Sequence, residues 1–204
     1  MQPIPFSELP YSSVQRRQQI RQDVRARRRL LTPEQQKTFA RQAVDQVSQH
    51  PKIQQAKRIA VFLSFDGELD TQPLIQWLWQ QGKQVCLPVL HPFSAGNLLF
   101  LHYAPDTELV LNRLNIREPR LDVRQVLPLP MLDVLLTPLV AFDQQGQRLG
   151  MGGGFYDRTL QGWETRGPYP IGLAHDCQRV DSLPTEDWDV PLPEIITPSR
   201  CWQW

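Results

Sequence analysis

Apolar residues recur at helical spacing near the start of the chain, then give way to short, nearly continuous apolar runs separated by Gly, Pro and Asp. In VQRRQQIRQDVRARRRLL, Val14, Ile20, Val24 and Leu31 make an apolar stripe, while Arg17, Arg21, Arg25 and Arg28 recur about one turn apart. This spacing predicts a basic helix over 15–31. Thr32-Pro33-Glu34-Gln35 has the form of a capping box with proline in the first turn. It predicts a second helix to about Gln49, with Phe39, Ala40, Ala43, Val44 and Val47 facing inward. KRIAVFLSF (57–65) predicts a strand closed by Asp66-Gly67, and PLIQWLWQQ a helix entered at Thr71 and stopped by Gly82. KQVCLPVL (83–90) predicts the next strand, which makes a strand–helix–strand unit long enough for a parallel crossover.

Further along, NLLFLHYA (97–104) reads as a strand at an antiparallel edge. DVLLTPLVAFD (133–143) reads as a buried strand whose final acid reaches a site, and YPIGLAH (169–175) and EIITP (194–198) as shorter strands. Neither a repeat nor a long linker divides the chain. The pattern is α/β, with a loosely ordered lead-in over 1–15 and one domain over 16–204. Ligands are expected where loops leave the strand ends.

Composition narrows the function classes. The N-terminal MQPIPFSELPYSS lacks the basic start and apolar run of a secretory signal, and MLDVLLTPLVAF is interrupted by Asp133 and Pro138. Neither a membrane span nor secretion is expected. Cys86, Cys177 and Cys201 are widely spaced and odd in number, which points to a reducing cytoplasm, and the four histidines show no ligand spacing for a transition metal. The net charge of +1 conceals a polarity: residues 1–50 hold nine Lys/Arg against four acids, and 176–196 hold six acids against Arg179. The two ends either meet across one site or form separate solvated surfaces.

The densest signal is GQRLGMGGGFYDRTL (146–160), with Gly150, Gly152, Gly153 and Gly154 within five residues. Bare backbone lets N–H groups approach phosphate oxygens, and a helix starting near Phe155 would reinforce them. A dinucleotide fingerprint fails because Phe155 stands where its third glycine belongs, and a Walker loop fails for want of GK[ST]. The remaining readings are a flexible loop or tight helix entry without a ligand, or a phosphate loop. In the second, Asp157 could hold Mg²⁺, Arg148 or Arg158 could meet phosphate, and Arg17 and Arg21 could clamp a polyphosphate from the N-terminal helix. Nucleic-acid binding by that helix is a weaker alternative, since the chain is near neutral and no aromatics interleave the arginines. Glu68 follows the first strand and is either a ligand contact or a turn residue, and Asp189 in EDWDVPLP is either a surface acid or a second metal contact.

The stretches RQQIRQDVRARRRLLTPEQQ, IAVFLSFDGELDTQPLI, LPVLHPFSAGNLLFLHY, DVLLTPLVAFDQQGQRLGMGGGFYDRTL and EDWDVPLP, in this order, resemble the 5-formyltetrahydrofolate cyclo-ligase family, in its bacterial form. The resemblance implies a three-layer α/β/α sandwich with a mostly parallel sheet, similar to the ribose-5-phosphate isomerase and CoA-transferase group. It implies an enzyme using ATP and Mg²⁺ to convert 5-formyltetrahydrofolate to 5,10-methenyltetrahydrofolate with release of ADP and phosphate. Carried over by position, Arg17, Arg21, Arg148, Leu149, Gly150, Met151, Gly152, Gly153, Gly154, Phe155 and Tyr156 fall at the ATP site. Leu63 and Glu68, with Met151 to Phe155, fall at the folate site, and Asp157 and Asp189 at the metal. No covalent nucleophile is implied; Phe65 and Tyr156 would add apolar walls, and a monomer is expected. Two departures stand out. Many members have lysine where Arg17 stands, and some carry a lysine where this chain has Gly153, a charge that is either missing here or supplied by Arg148 or Arg158. The competing enzyme reading, a sugar-phosphate isomerase or CoA-type transferase on such a fold, would need neither ATP nor Mg²⁺.

Overall fold

A computed structural model describes residues 12–204. Helix α1 (Ser13–Arg29) begins inside the stretch expected to be loose, because Ser12 and Gln15 form a capping box; residues 1–11 of that lead-in lie outside the described residues. Helix α2 (Pro33–Ser48) starts at the predicted Thr32–Gln35 box and is followed by α3 (Pro51–Gln55). Then come β1 (Arg58–Ala60), α4 (Gln72–Gln80), β2 (Gln84–Leu90) and β3 (Leu98–His102). A hairpin of β4 (Leu109–Leu111) and β5 (Arg117–Pro119) precedes β6 (Val126–Leu127) and β7 (Val134–Pro138). The chain continues through β8 (Ala141–Phe142), β9 (Arg148–Leu149), α5 (Phe155–Leu160) and α6 (Trp163–Arg166). It closes with β10 (Tyr169–Leu173), β11 (Glu194–Ile196) and β12 (Cys201–Gln203).

Eight strands form one sheet in the order β12-β11-β10-β7-β1-β2-β3-β6. The pairs β11–β10, β10–β7, β7–β1 and β1–β2 are parallel, and both flanks are antiparallel. Burial on both faces explains why the central strands read as unbroken apolar runs. Side-chain alternation divides each strand between two cores. Ile59, Val85, Leu87, Val134, Leu136 and Ile171 face α2, α3 and α4, whereas Ala60, Cys86, Leu135 and Ile195 face the layer carrying Leu160 of α5 and Trp163 of α6. The expected three-layer α/β architecture is therefore present. Gly172 makes room for this packing: a Cβ there would meet Ile195, Leu192 and Leu139 at 2.7, 2.9 and 3.0 Å. Gly172→Ala is expected to cost about 1–3 kcal/mol through overpacking, read as a lowered Tm in thermal unfolding.

Three expectations need correction. The first strand is shorter than 57–65, because after Val61 N–H donates to Cys86 O at 2.9 Å the chain leaves the sheet and lines a cavity. The run 133–143 breaks after Pro138, and Ala141–Phe142 pairs instead with β9 in a separate antiparallel ribbon. Its terminal Asp143 does not face the site; its carboxylate accepts N–H bonds from Gln145, Gln147 and Leu183 and fixes a turn. Strand β3 is antiparallel as expected, but β6 covers its outer side, so it is not the edge.

Helix α1 packs beside that ribbon through Val24, which contacts the cluster of Val140, Ala141, Leu149 and Leu183. The buried positions of α1 are Val24 and Arg28; Val14, expected on the apolar stripe, is 72% exposed. Arg28 takes the inward position one turn after Val24 because Asp66 awaits it. Arg28 Nε and Nη2 donate to the Asp66 carbonyl at 3.0 and 2.7 Å, while Arg25 and Arg29 bind the Asp66 carboxylate. Burial alone would raise the Asp66 pKa, but hydrogen bonds from Arg25 and Arg29 outweigh it and hold the group below the ordinary carboxylate value.

Candidate active site

The parallel strands end at one edge of the sheet, and there a cavity of about 430 Å³ opens. Three segments build it. The chain peeling away from β1 supplies Phe62, Leu63, Phe65 and Glu68; the glycine loop and start of α5 supply Gly150, Met151, Gly153 to Tyr156 and Asp157; the β4–β5 hairpin supplies Asn112, Leu114, Ile116, Arg117 and Glu118. Predicted folate and loop residues thus meet in one place. The hairpin was not anticipated, although LVLNRLNIREP carries one cue, a short apolar run followed by an Asn-containing turn.

The glycine loop is held from two sides. Arg21 Nε donates to Gly150 O at 2.8 Å, and Arg158 donates to Gly96 O at 2.7 Å and to the Gly153 carbonyl. Gly152 adopts φ +102°, where side-chain-bearing residues are strained, and a Cβ would point at the Arg21 guanidinium 3.6 Å away. A Cβ on Gly153 would come within 2.6 Å of the Phe155 ring, so a side chain at 153 requires Phe155 to move. Arg158 is thus engaged with two carbonyls that fasten the loop to the β2–β3 turn.

Behind the loop lies a cluster of alternating charge. Arg17 binds both oxygens of Asp189, with Nη2 to Oδ1 at 2.9 Å, and its Nη1 also donates to Pro184 O at 3.1 Å. Glu186 N–H donates to the same carboxylate at 2.9 Å, and Ser13 Oγ donates to Glu186 Oε1 at 2.6 Å. The basic head and acidic tail therefore meet. Arg148, buried on β9, binds Asp157 Oδ1 through Nη2, while its Nε is buried with no acceptor among the described residues. Burial would raise the Asp189 pKa, but the hydrogen bonds from Arg17 and the Glu186 N–H hold it down. The Asp189 hydrogen bond raises the pKa of Arg17, and desolvation lowers that of Arg148.

On the other side of the cavity Glu68 is almost fully buried, with Oε2 accepting from Phe65 N–H at 3.3 Å and Oε1 3.9 Å from Arg28 Nη1. Burial pushes its pKa up to about 7, against the opposing pull of Arg28. Burial, and then the nearby Glu68 charge, also raise the pKa of the Tyr156 hydroxyl, which stays a neutral donor. Because the folded pKa of Glu68 exceeds the unfolded value of about 4.3, the folded state binds the extra proton between the two. Stability is greatest below the unfolded value and falls as pH rises toward 7. Glu68→Gln is therefore expected to melt above the native protein at pH 8 and to lose that advantage by pH 4–5, measured by thermal unfolding across pH.

Among the described residues, no helix is long and apolar enough to cross a membrane. The profile of the 5-formyltetrahydrofolate cyclo-ligase family matches residues 13–198. The 5-formyltetrahydrofolate cyclo-ligase of Escherichia coli K12 is 65% identical over 181 residues, covering 89% of this chain and 100% of the relative. That of Haemophilus influenzae is 55% identical over 188 residues, covering 90% and 98%. The NMR structure of Aquifex aeolicus 5,10-methenyltetrahydrofolate synthetase superposes with a TM-score of 0.77 at 25% identity, covering 92% of each chain. A 5,10-methenyltetrahydrofolate synthetase from Mycoplasma pneumoniae shares the fold, with a TM-score of 0.68 at 22% identity and 89% and 98% coverage.

Proposed function

The chain belongs to the 5-formyltetrahydrofolate cyclo-ligase family and is a ligase, and from that premise we propose that it closes 5-formyltetrahydrofolate to 5,10-methenyltetrahydrofolate at the expense of ATP, acting as a cytoplasmic monomer. One observation carries the reading. The cavity places an apolar chamber ending in Glu68 and a bare glycine backbone flanked by arginines on either side of the same residues, Gly150 to Phe155. A pterin with its aromatic tail suits the first and a polyphosphate the second.

The N5-formyl group is amide-like, with a poor oxygen leaving group. Transfer of the γ-phosphoryl group of ATP to the formyl oxygen gives an iminium phosphate and ADP. N10 adds to the formyl carbon and loses its proton, and the C–O bond breaks to release phosphate as the five-membered ring closes. Phosphoryl transfer asks mainly for positioning and charge neutralisation, which the loop N–H groups, Arg21 and Arg148 supply. Arg148 brings an unsatisfied buried Nε, whereas Arg158 is committed to carbonyls, so Arg148 replaces the loop lysine of other members. Holding N10 against the activated carbon is the second requirement. Glu68 hydrogen-bonds the pterin, and Leu63, Phe65 and Tyr156 form its apolar walls.

The acids fit a magnesium ion unequally. Asp157 engages Arg148 through one oxygen and leaves the other without a partner among the described residues, whereas both oxygens of Asp189 already accept from Arg17. Asp157 would hold Mg²⁺ together with nucleotide phosphates, where the ion supplies charge neutralisation. Asp189 would join it only if Arg17, which now occupies both of its oxygens, paired with the phosphates instead. The assay mixes the protein with 5-formyltetrahydrofolate, ATP and Mg²⁺ and follows the ultraviolet absorbance of the methenyl product. A rise requiring both ATP and Mg²⁺ is expected; none from folded protein overturns the reading.

A further inference from the structure

We propose that Arg117 on the β4–β5 hairpin recognises the glutamyl carboxylates of the folate substrate, and that a second cavity beside it receives this tail. The inference rests on the folate reading above. The second cavity, about 330 Å³, shares Leu63, Phe65, Ile116 and Arg117 with the first. Its own polar lining is Ser64, Gln72 and Asn115, and it contains no acidic side chain. The first cavity, in contrast, is lined by Glu68, Glu118 and Asp157.

Arg117 is an exposed cation with no anion beside it among the described residues. No hydrogen bond, ion pair or ring contact engages it among the described residues, while Arg120 and Arg124, next along the chain, pair with Glu108 and Asp122. The adjacent acid is engaged elsewhere: Glu118 Oε2 accepts from Leu90 N–H at 3.0 Å and Asn112 Nδ2 at 2.8 Å, and no ion pair joins it to Arg117. The hairpin is stiff. Leu111 faces Arg117 in register, Asn112 Oδ1 accepts from Leu114 and Ile116 N–H groups, and Asn115 turns the chain at φ +57°. The order of groups along the cavities then matches the substrate. Glu68 stands at the hydrogen-bonding pterin, Leu63, Phe65 and Ile116 sleeve the p-aminobenzoyl ring, and the guanidinium meets a dianionic glutamate. A carboxylate pairs with such a fork through two N–H bonds.

The test compares 5-formyltetrahydrofolate with 5-formyltetrahydropteroate, which lacks the glutamyl residue. Binding without ATP is followed by tryptophan fluorescence, and KM and kcat by methenyl formation. The native protein is expected to favour the glutamyl compound about tenfold, an advantage that shrinks with added salt. Arg117→Gln should raise Kd and KM for the glutamyl compound to those of the pteroate, with kcat and the pteroate constants unmoved; Arg117→Lys should restore part of the preference. Equal weakening of both compounds, an undiminished preference in Arg117→Gln, or a change confined to KM for ATP would overturn the proposal. Tail-dependent binding without turnover would remove the catalytic reading alone, whereas failure to bind either compound would remove both.

Discussion

Asp157→Asn is expected to lower kcat by about 10²–10³-fold while moving Tm by only a few degrees. On the proposed function the carboxylate would have two tasks. It would hold Mg²⁺ against the nucleotide, and it accepts a hydrogen bond from Arg148, whose side chain is 2% exposed. Alanine would remove both functions and leave a buried guanidinium unpaired, a loss of about 3–5 kcal/mol. Activity would then fall through unfolding as well as chemistry. Asparagine keeps an oxygen for Arg148 but lacks the anionic oxygen a hard divalent cation prefers. Losing a charge-assisted bond for a neutral one costs about 1–2 kcal/mol, or roughly 2–4 °C per kcal/mol in a chain of this size. The loss of transition-state charge stabilisation is larger, on the scale of removing one electrostatic contact from an active site. Measured together, kcat, Tm and the Mg²⁺ concentration for half-maximal rate separate the two tasks. A kcat loss no greater than the loss of folded protein, with the Mg²⁺ dependence unchanged, would assign Asp157 to holding Arg148 only.

The same residue shows what sequence reading can and cannot reach. The glycine loop was legible because four glycines in five residues have few uses, and FYDR behind them limits those uses further. The central strands were legible because burial on both faces forces continuous apolar runs. Asp157, Asp189, Arg17 and Arg148 could be singled out as charged residues, but not their pairing. An ion pair spanning 172 positions, such as Arg17 with Asp189, leaves no local periodicity to read. The β4–β5 hairpin escaped for another reason: its strands are three residues each, and three residues cannot display a period of two convincingly. With the hairpin went Arg117 and Ile116, a whole wall of the cavity. The burial of Arg28 was hidden for a physical reason rather than by distance alone. An arginine on a basic helix face is ordinarily solvated, and only the position of Asp66 turns this one inward.

Asp66→Asn is expected to destabilise the fold by about 3 kcal/mol, lowering Tm by roughly 6–12 °C. One carboxylate, itself mostly buried, gathers Arg25, Arg28 and Arg29, and the Arg28 side chain has no exposure at all. Asparagine tolerates the φ of +51° at this turn, and the backbone carbonyl still accepts from Arg28, so the variant isolates the charge. Three guanidinium groups would then face one another with only Glu68 nearby, at 3.9 Å from Arg28. Salt should relieve the part that comes from Arg29, which is half-exposed, but not the part from Arg28. The pH dependence follows from a folded pKa depressed below the unfolded value of about 3.9. The native advantage is complete above that value and closes as pH falls through the folded pKa, where both proteins carry an uncharged group. The consequence also reaches the active site, because the same contact docks the helix that brings Arg21 to the glycine loop and Arg17 to Asp189, and fixes the turn between Phe65 and Glu68. Thermal unfolding from pH 3 to 8, paired with KM for ATP and folate, tests the whole chain of cause. A variant with native Tm at pH 8 would mean that the three arginines find solvent instead, and that helix α1 is held by Val24 and the Arg21–Gly150 bond.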